Sequence, residues 1–195
     1  MVTIPKGNFE GYIFDCDGTL AISMPVHFLA WQRVFKKHHA KFEFTWEMFR
    51  AMAGMGLHHT VEELNRQFND NLDPIVVVAD QADLVRENHH EIKPNEEVVE
   101  VARMLSQNQP VSVASGGHRE HVRETLSAIH VTDIFKIVVT QDDVIRSKPA
   151  PDLFLLAAIR MAVDPCKCLV FEDSELGIQA AKRAGMQCVL VDNKY

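Results

Sequence analysis

The sequence predicts an α/β chain: a doubly wound parallel sheet core with a small α-helical cap inserted after the first strand. Three observations carry that reading. Five short runs are almost continuously apolar and rich in β-branched residues, as strands covered on both faces are. Helical periodicities lie between the later four, the arrangement that builds parallel sheets. Residues 21 to 90 interrupt this alternation with amphipathic helices and contain no core strand.

Taken in order, YIFD (12 to 15) is the first strand, and the turn residues Asp17 and Gly18 end it. PVHFLAWQRVFKKHH (25 to 39) and TVEELNRQF (60 to 68) space apolar residues three and four apart, with Phe28, Trp31 and Phe35 as a packing stripe. PIVVVA (74 to 79) has the composition of a strand, but DQADLVRENHHEI after it has helical spacing, and helix is expected throughout. Helices over 95 to 107, 118 to 129, 151 to 162 and 174 to 184 then alternate with strands VSVAS (111 to 115), KIVVT (136 to 140), CLVFED (168 to 173) and CVLVD (188 to 192). Gly185 stops the last helix. The expected division is a Rossmann-like catalytic core over 1–20 and 91–195 and a cap over 21–90.

Composition narrows the partners. The 195 residues are 47% hydrophobic and 24% charged, with a net charge of -7 and a pI of 5.8. That balance excludes the basic face of a nucleic-acid binder. The four cysteines (Cys16, Cys166, Cys168, Cys188) lack zinc-site spacing, and the N-terminus lacks the apolar core of a signal peptide. A cytoplasmic location is expected. No apolar run approaches the roughly 20 residues needed to span a bilayer. The expected partner is a small molecule, for a chain acting as a monomer or small homo-oligomer.

Ligands of open parallel sheets bind beyond the carboxyl ends of the strands, and the residues there are chemically uniform. Asp15 and Asp17 follow the first strand, Ser115 with Gly116 and Gly117 the second, and Glu172 with Asp173 the fourth; the loop after the third reaches Lys148. Asp15, Asp173 and the main-chain carbonyl of Asp17 are hard oxygen donors of the kind Mg2+ prefers. The Ser115 hydroxyl, the Gly116 and Gly117 amides at a helix start and Lys148 make an anion site. Together they describe a phosphoryl pocket. With both aspartates near strand geometry, residues two apart share a side. Asp15 can then attack phosphorus as a nucleophile while Asp17 serves as acid and base beside the leaving oxygen. Phosphate-monoester hydrolysis can demand acceleration of ~10²¹, about 28 kcal/mol, so the whole constellation is needed.

DCDGTL, VASGG, SKPAPD and FEDSELGIQAAKRAGM, in that order, resemble the four motifs of the haloacid dehalogenase superfamily over most of the chain. The branch it is most similar to holds β-phosphoglucomutase and sugar-phosphate phosphatases. The resemblance implies an aspartyl-phosphate on Asp15, acid/base chemistry at Asp17, phosphoryl binding by Ser115, Gly116 and Lys148, and Mg2+ on Asp15, Asp17 and Asp173 with Glu172 assisting. It also implies that Ser23, His27 and Gly54 of the cap face substrate, with Gly117 beside them. The implied activity is hydrolysis of a small phosphorylated sugar or related metabolite, toward which Thr19 leans. The alternative is mutase transfer between sugar hydroxyls. A receiver-like module that only carries phosphate on Asp15 is a third reading, and Asp17 argues against it.

Two positions depart from the branch. Ile22 stands where an aspartate is common, and Leu57 sits where mutases place an arginine for a second phosphate, leaving His58, His59 or Arg86 to substitute. The His-His pairs at 38–39, 58–59 and 89–90 lack a carboxylate or thiolate at fixed spacing and read as solvated helix faces.

Overall fold

A computed structural model of the chain describes residues 2–192. Position 1 and positions 193 to 195, which the sequence assigns to the core, lie outside the described residues. The central sheet has five parallel strands in the order β5-β4-β1-β6-β7: β1 (Gly11–Phe14), β4 (Val111–Ala114), β5 (Ile137–Val139), β6 (Cys168–Glu172) and β7 (Gln187–Leu190). β1 pairs with β4 on one side and β6 on the other. Strand order therefore reverses at β1, and the crevice of an open α/β sheet falls at its carboxyl end.

Burial follows position in the sheet. β1, β4 and β6 are buried at every residue, whereas β7, at an edge, leaves Gln187 and Leu190 exposed. Alternation splits the apolar residues between two cores. Tyr12, Phe14, Leu169 and Phe171 join α5 (Glu96–Ser106) and α6 (Arg119–Ala128) on one face. Ile13 and Val170 join α7 (Asp152–Met161) and α8 (Glu175–Arg183) on the other. Phe14 and Phe171 stack with centroids 4.5 Å apart.

Between β1 and α5 lie α1 (Met24–Lys37), α2 (Trp46–Ala51), α3 (Leu57–Phe68) and α4 (Pro74–Glu87). They have a core of their own, built on Trp31, Val34, Phe35, Phe44, Phe49, Leu64 and Val77. The β-branched run at 75 to 78 is helical, as expected. The Asp73 side chain accepts from the Ile75 and Val76 amides, Pro74 fits the first turn, and Val77, Val78, Gln81 and Val85 form the buried face. Ile75 and Val76 point outward.

The sequence reading missed α2 and a small ribbon. Ala21–Ile22 (β2) pairs antiparallel with Lys93–Pro94 (β3), so both passages between the sheet and the helical block run side by side. Ile22 belongs to this ribbon and is 39% exposed. No helix of the described residues is long and apolar enough to cross a membrane.

Candidate active site

β1 stops at Phe14, and the chain turns around the Cys16 carbonyl, which accepts from the Thr19, Leu20 and Ala21 amides at 3.3, 3.0 and 2.9 Å. A turn, rather than continued strand geometry, therefore brings Asp15 and Asp17 to one cavity. Gly18 has a φ of +88°, and a β-carbon there would lie 2.2 Å from Asp173 Oδ2. Glycine lets the loop rest against the acidic end of β6.

The buried Lys148 reaches in from the loop after β5. Its Nζ donates to Asp15 Oδ1 and Glu172 Oε1, both at 2.6 Å. Burial disfavours the ammonium, but these carboxylates outweigh it and keep the lysine charged. Asp15, Glu172 and Asp173 each offer an oxygen within 4.8 Å of the others. Burial, reinforced by Glu172 and opposed by Lys148, pushes the Asp15 carboxyl up to about 7. Burial, then Glu172 and Asp15, raises Asp173 as well. One lysine thus faces three carboxyls. A surplus of buried negative charge carried by hard oxygens is a donor set that fits Mg2+.

On the opposite side Ser115, after β4, is buried, and its Oγ accepts from the Gly117 amide at 3.1 Å. The anion site expected from two glycine amides is thereby reduced, because Gly117 spends its N–H on Ser115; Gly116 and Gly117 both line the cavity. Ser174, at the start of α8, donates its amide to Glu172 Oε2 at 2.6 Å and fixes that carboxylate.

Asp17 faces the helical block. Its Oδ1 accepts from Ser23 Oγ at 2.7 Å and lies 3.2 Å from His27 Nε2. Burial opposes ionisation, but His27, then His121 and the Ser23 hydroxyl, hold the Asp17 carboxyl below the usual carboxylate range. His27 is itself held from behind by Gln81, whose Nε2 is 3.2 Å from its Nδ1. Gly54 brings the loop after α2 onto the core: it has a φ of +85°, and a β-carbon would stand 2.9 Å from Ser174 Oγ and 3.3 Å from Lys148 Cδ.

The cavity enclosed by these groups measures about 90 Å³, and its far wall is apolar: Met24, Trp31, Phe44, Phe49, Met52 and Leu57, with Thr60. Trp31, expected as packing alone, does both jobs, since it belongs to the cap core and lines the cavity.

Several residues differ from expectation. His58 and His59 line a separate surface groove with His118 and Gln141. Arg86 is held by Asp83 at 2.9 Å and Glu124 at 3.3 Å. None of the three substitutes for an arginine at Leu57. Each His-His pair divides into an exposed member (His39, His59, His90) and a half-buried one. His38 Nε2 is 2.6 Å from Asp80 Oδ2, His58 meets the His118 ring at 5.5 Å, and the His89 and His121 rings lie 6.2 Å apart.

His121, in the first turn of α6, is the functional neighbour that sequence reasoning missed. Its Nε2 lies 3.2 Å from His27 Nε2 across 94 positions, and burial, then His27, pushes it down to about 4. The available signal was its place one turn beyond the Ser115 loop, which aims the first turn of the following helix toward the strand ends.

Comparison with known proteins agrees with this geometry. The family model for haloacid dehalogenase-like hydrolases matches residues 12–191. The chain is 32% identical to fructose-1-phosphate phosphatase YqaB of Escherichia coli over 93% of its own length and 95% of that protein. It is 25% identical to β-phosphoglucomutase of Bacillus subtilis, covering 92% of this chain and 82% of the other. The crystal structure of a hydrolase from Pseudomonas syringae superposes with a TM-score of 0.84 at 25% identity, over 92% of this chain and 83% of that one.

Proposed function

The chain belongs to the haloacid dehalogenase-like hydrolases, and from that premise we propose that it is a magnesium-dependent phosphatase for a small phosphorylated sugar or related metabolite. One observation carries the reading: Asp15, Asp17, Ser115, Glu172 and Asp173, from three strand ends, line one cavity, and Lys148, from the loop after a fourth strand, bonds to Asp15 and Glu172 behind it. The naming of relatives as a fructose-1-phosphate phosphatase and a β-phosphoglucomutase supports a phosphosugar substrate.

Asp15, Asp173 and the Asp17 main-chain carbonyl would hold Mg2+, with Glu172 beside them. Its charge would neutralise phosphoryl oxygens as negative charge shifts between attacking and leaving groups. The protein's own groups do the rest. Lys148 occupies Asp15 Oδ1, which leaves Oδ2 to attack phosphorus. The bond to the leaving sugar oxygen breaks, and Asp17 gives that oxygen its proton; a phosphoryl dianion beside Asp17 favours the protonated carboxyl needed. Water then attacks the aspartyl-phosphate, Asp17 takes its proton, and Asp15 is regenerated with release of phosphate. Ser115, the Gly116 amide and Lys148 hold the phosphoryl oxygens. Ser23 and His27 orient Asp17, and Gly54 with Gly117 lies against the substrate.

A mutase would need a cation for a second phosphate on the far wall, and among the described residues lining it none is Lys or Arg. Phosphate release from a panel of phosphosugars with Mg2+ tests the assignment. Conversion of glucose 1-phosphate to glucose 6-phosphate with a trace bisphosphate, without free phosphate, would overturn it in favour of the mutase.

A further inference from the structure

We infer that Asp17, His27 and His121 form a second metal site, distinct from the oxygen-only magnesium set, that takes a borderline transition ion such as Zn2+ or Co2+ and inhibits by clamping the cap to the core. The three residues each present a ligand atom within 4.8 Å of the others. Within this cluster, His27 Nε2 stands 3.2 Å from Asp17 Oδ1 and 3.2 Å from His121 Nε2. Bonds of about 2.0–2.1 Å at tetrahedral angles place neighbouring ligand atoms roughly 3.3–3.4 Å apart. Two of the three separations already match that spacing, and the third, between Asp17 and His121, lies within 4.8 Å.

Hydrogen bonding alone leaves this arrangement incompletely satisfied. If His27 Nε2–H donates to Asp17, it has no second proton for His121 Nε2, which points at the same nitrogen. His27 Nε2 thus faces both an imidazole nitrogen and a carboxylate oxygen, whichever tautomer it holds, and an ion can engage all three atoms. Support comes from behind as well. Gln81, 1% exposed, meets His27 Nδ1 at 3.2 Å. Its amide can present nitrogen to one tautomer or oxygen to the other, the outer contact that metal-binding histidines keep.

Ligand chemistry separates the two sites. Imidazole suits Zn2+, Co2+ and Ni2+, whereas Mg2+ prefers the carboxylates of Asp15, Glu172 and Asp173. The consequence is inhibition, because an ion on Asp17 occupies the oxygen proposed to handle protons. It also ties α1, which carries His27, to α6, which carries His121. High Mg2+ would leave such inhibition in place, whereas displacement of magnesium by Zn2+ at the carboxylates would be relieved by it.

The test is direct metal binding. Co2+ is titrated into the full chain, its visible d–d absorption is followed, and the titration is repeated on His121→Asn and Asp173→Asn. The expected result is one Co2+ that survives Asp173→Asn and weakens more than about 100-fold in His121→Asn, since changing even an outer contact costs roughly 10–100-fold. In parallel, Zn2+ added to ¹⁵N-histidine-labelled wild type should shift the Nε2 resonances of His27 and His121, a readout independent of how any variant folds. No binding by wild type, unmoved histidine resonances, or loss of the ion in Asp173→Asn but not His121→Asn would overturn the site. Because neither readout uses turnover, its failure would leave the phosphatase assignment standing.

Discussion

The two walls of the cavity are built on opposite principles. The core wall buries charge: Lys148 is 2% exposed and Glu172 1%, linked at 2.6 Å. The cap wall buries aromatic rings and methionines, and its polar groups are His27 and Thr60. Charge sequestered from water is strong in stabilising a phosphoryl group, yet it says little about what the phosphate is attached to. Apolar surface selects by shape and contributes little to bond breaking. On the proposed function, chemistry would sit on one wall and selection on the other.

The greatest effect should come from the core wall. Asp15→Asn should lower kcat by at least about 10⁴-fold, as loss of a nucleophile does, while circular dichroism and magnesium-dependent phosphate binding stay near wild type. Retention of substantial turnover would remove Asp15 from the nucleophile's role and erase the division between walls. Lys148→Met comes next, because it strands two buried carboxylates. Breaking one partner of such a pair costs about 3–5 kcal/mol, and a chain of this size should lose on the order of 10 °C in Tm. Activity should fall by about 10²–10³-fold with the loss of a buried donor.

The cap wall should respond in selectivity. Leu57→Arg introduces a cation into the apolar wall and should improve kcat/KM for bisphosphorylated over monophosphorylated sugars by about 10–100-fold, the worth of one charge-assisted hydrogen bond. Phosphate-release kinetics on matched substrates measure this. An equal effect on both substrates would mean that the cap wall does not select.

The smallest effect belongs to a residue on neither wall. Burial disfavours the Asp143 carboxylate, but Arg160 at 2.7 Å, the Thr140 amide at 2.9 Å and Arg119 at 2.5 Å more than offset this and lower its proton affinity. A depressed carboxyl stabilises the fold above the unfolded value of 3.8, and that contribution is lost as pH falls below it. Asp143→Asn should therefore lower Tm by a few degrees at neutral pH, and the gap to wild type should close in acid. kcat should stay within about 2-fold.

Legibility followed the same division. The five sheet strands, and the helices on both sides of them, could be read because their composition is fixed locally by burial on both faces. Asp15, Ser115 and Asp173 could be picked out as candidates because they stand at the ends of recognisable strands, and Lys148 because it lies in the loop after one. α2 is only six residues long, too short for a helical period to declare itself. The ribbon at Ala21–Ile22 and Lys93–Pro94 joins two-residue segments whose pairing lies outside any local pattern. The Gly117 amide also escaped, since its bond to Ser115 depends on the loop's path.

By itself the sequence determined which residues are apolar, where strands and helices alternate, and which chemical groups stand at the strand ends, because each follows from short-range spacing. Tertiary structure decided that Asp17 lies between Ser23 and His27, that Gln81 stands behind His27, and that His121 completes a cluster spanning sheet and cap. Those contacts join positions as far apart as 94 residues. Their distances come from how the helical block packs onto the sheet and its flanking helices, where Val26, Ala30 and Val85 join the core of one sheet face, and no local periodicity encodes that.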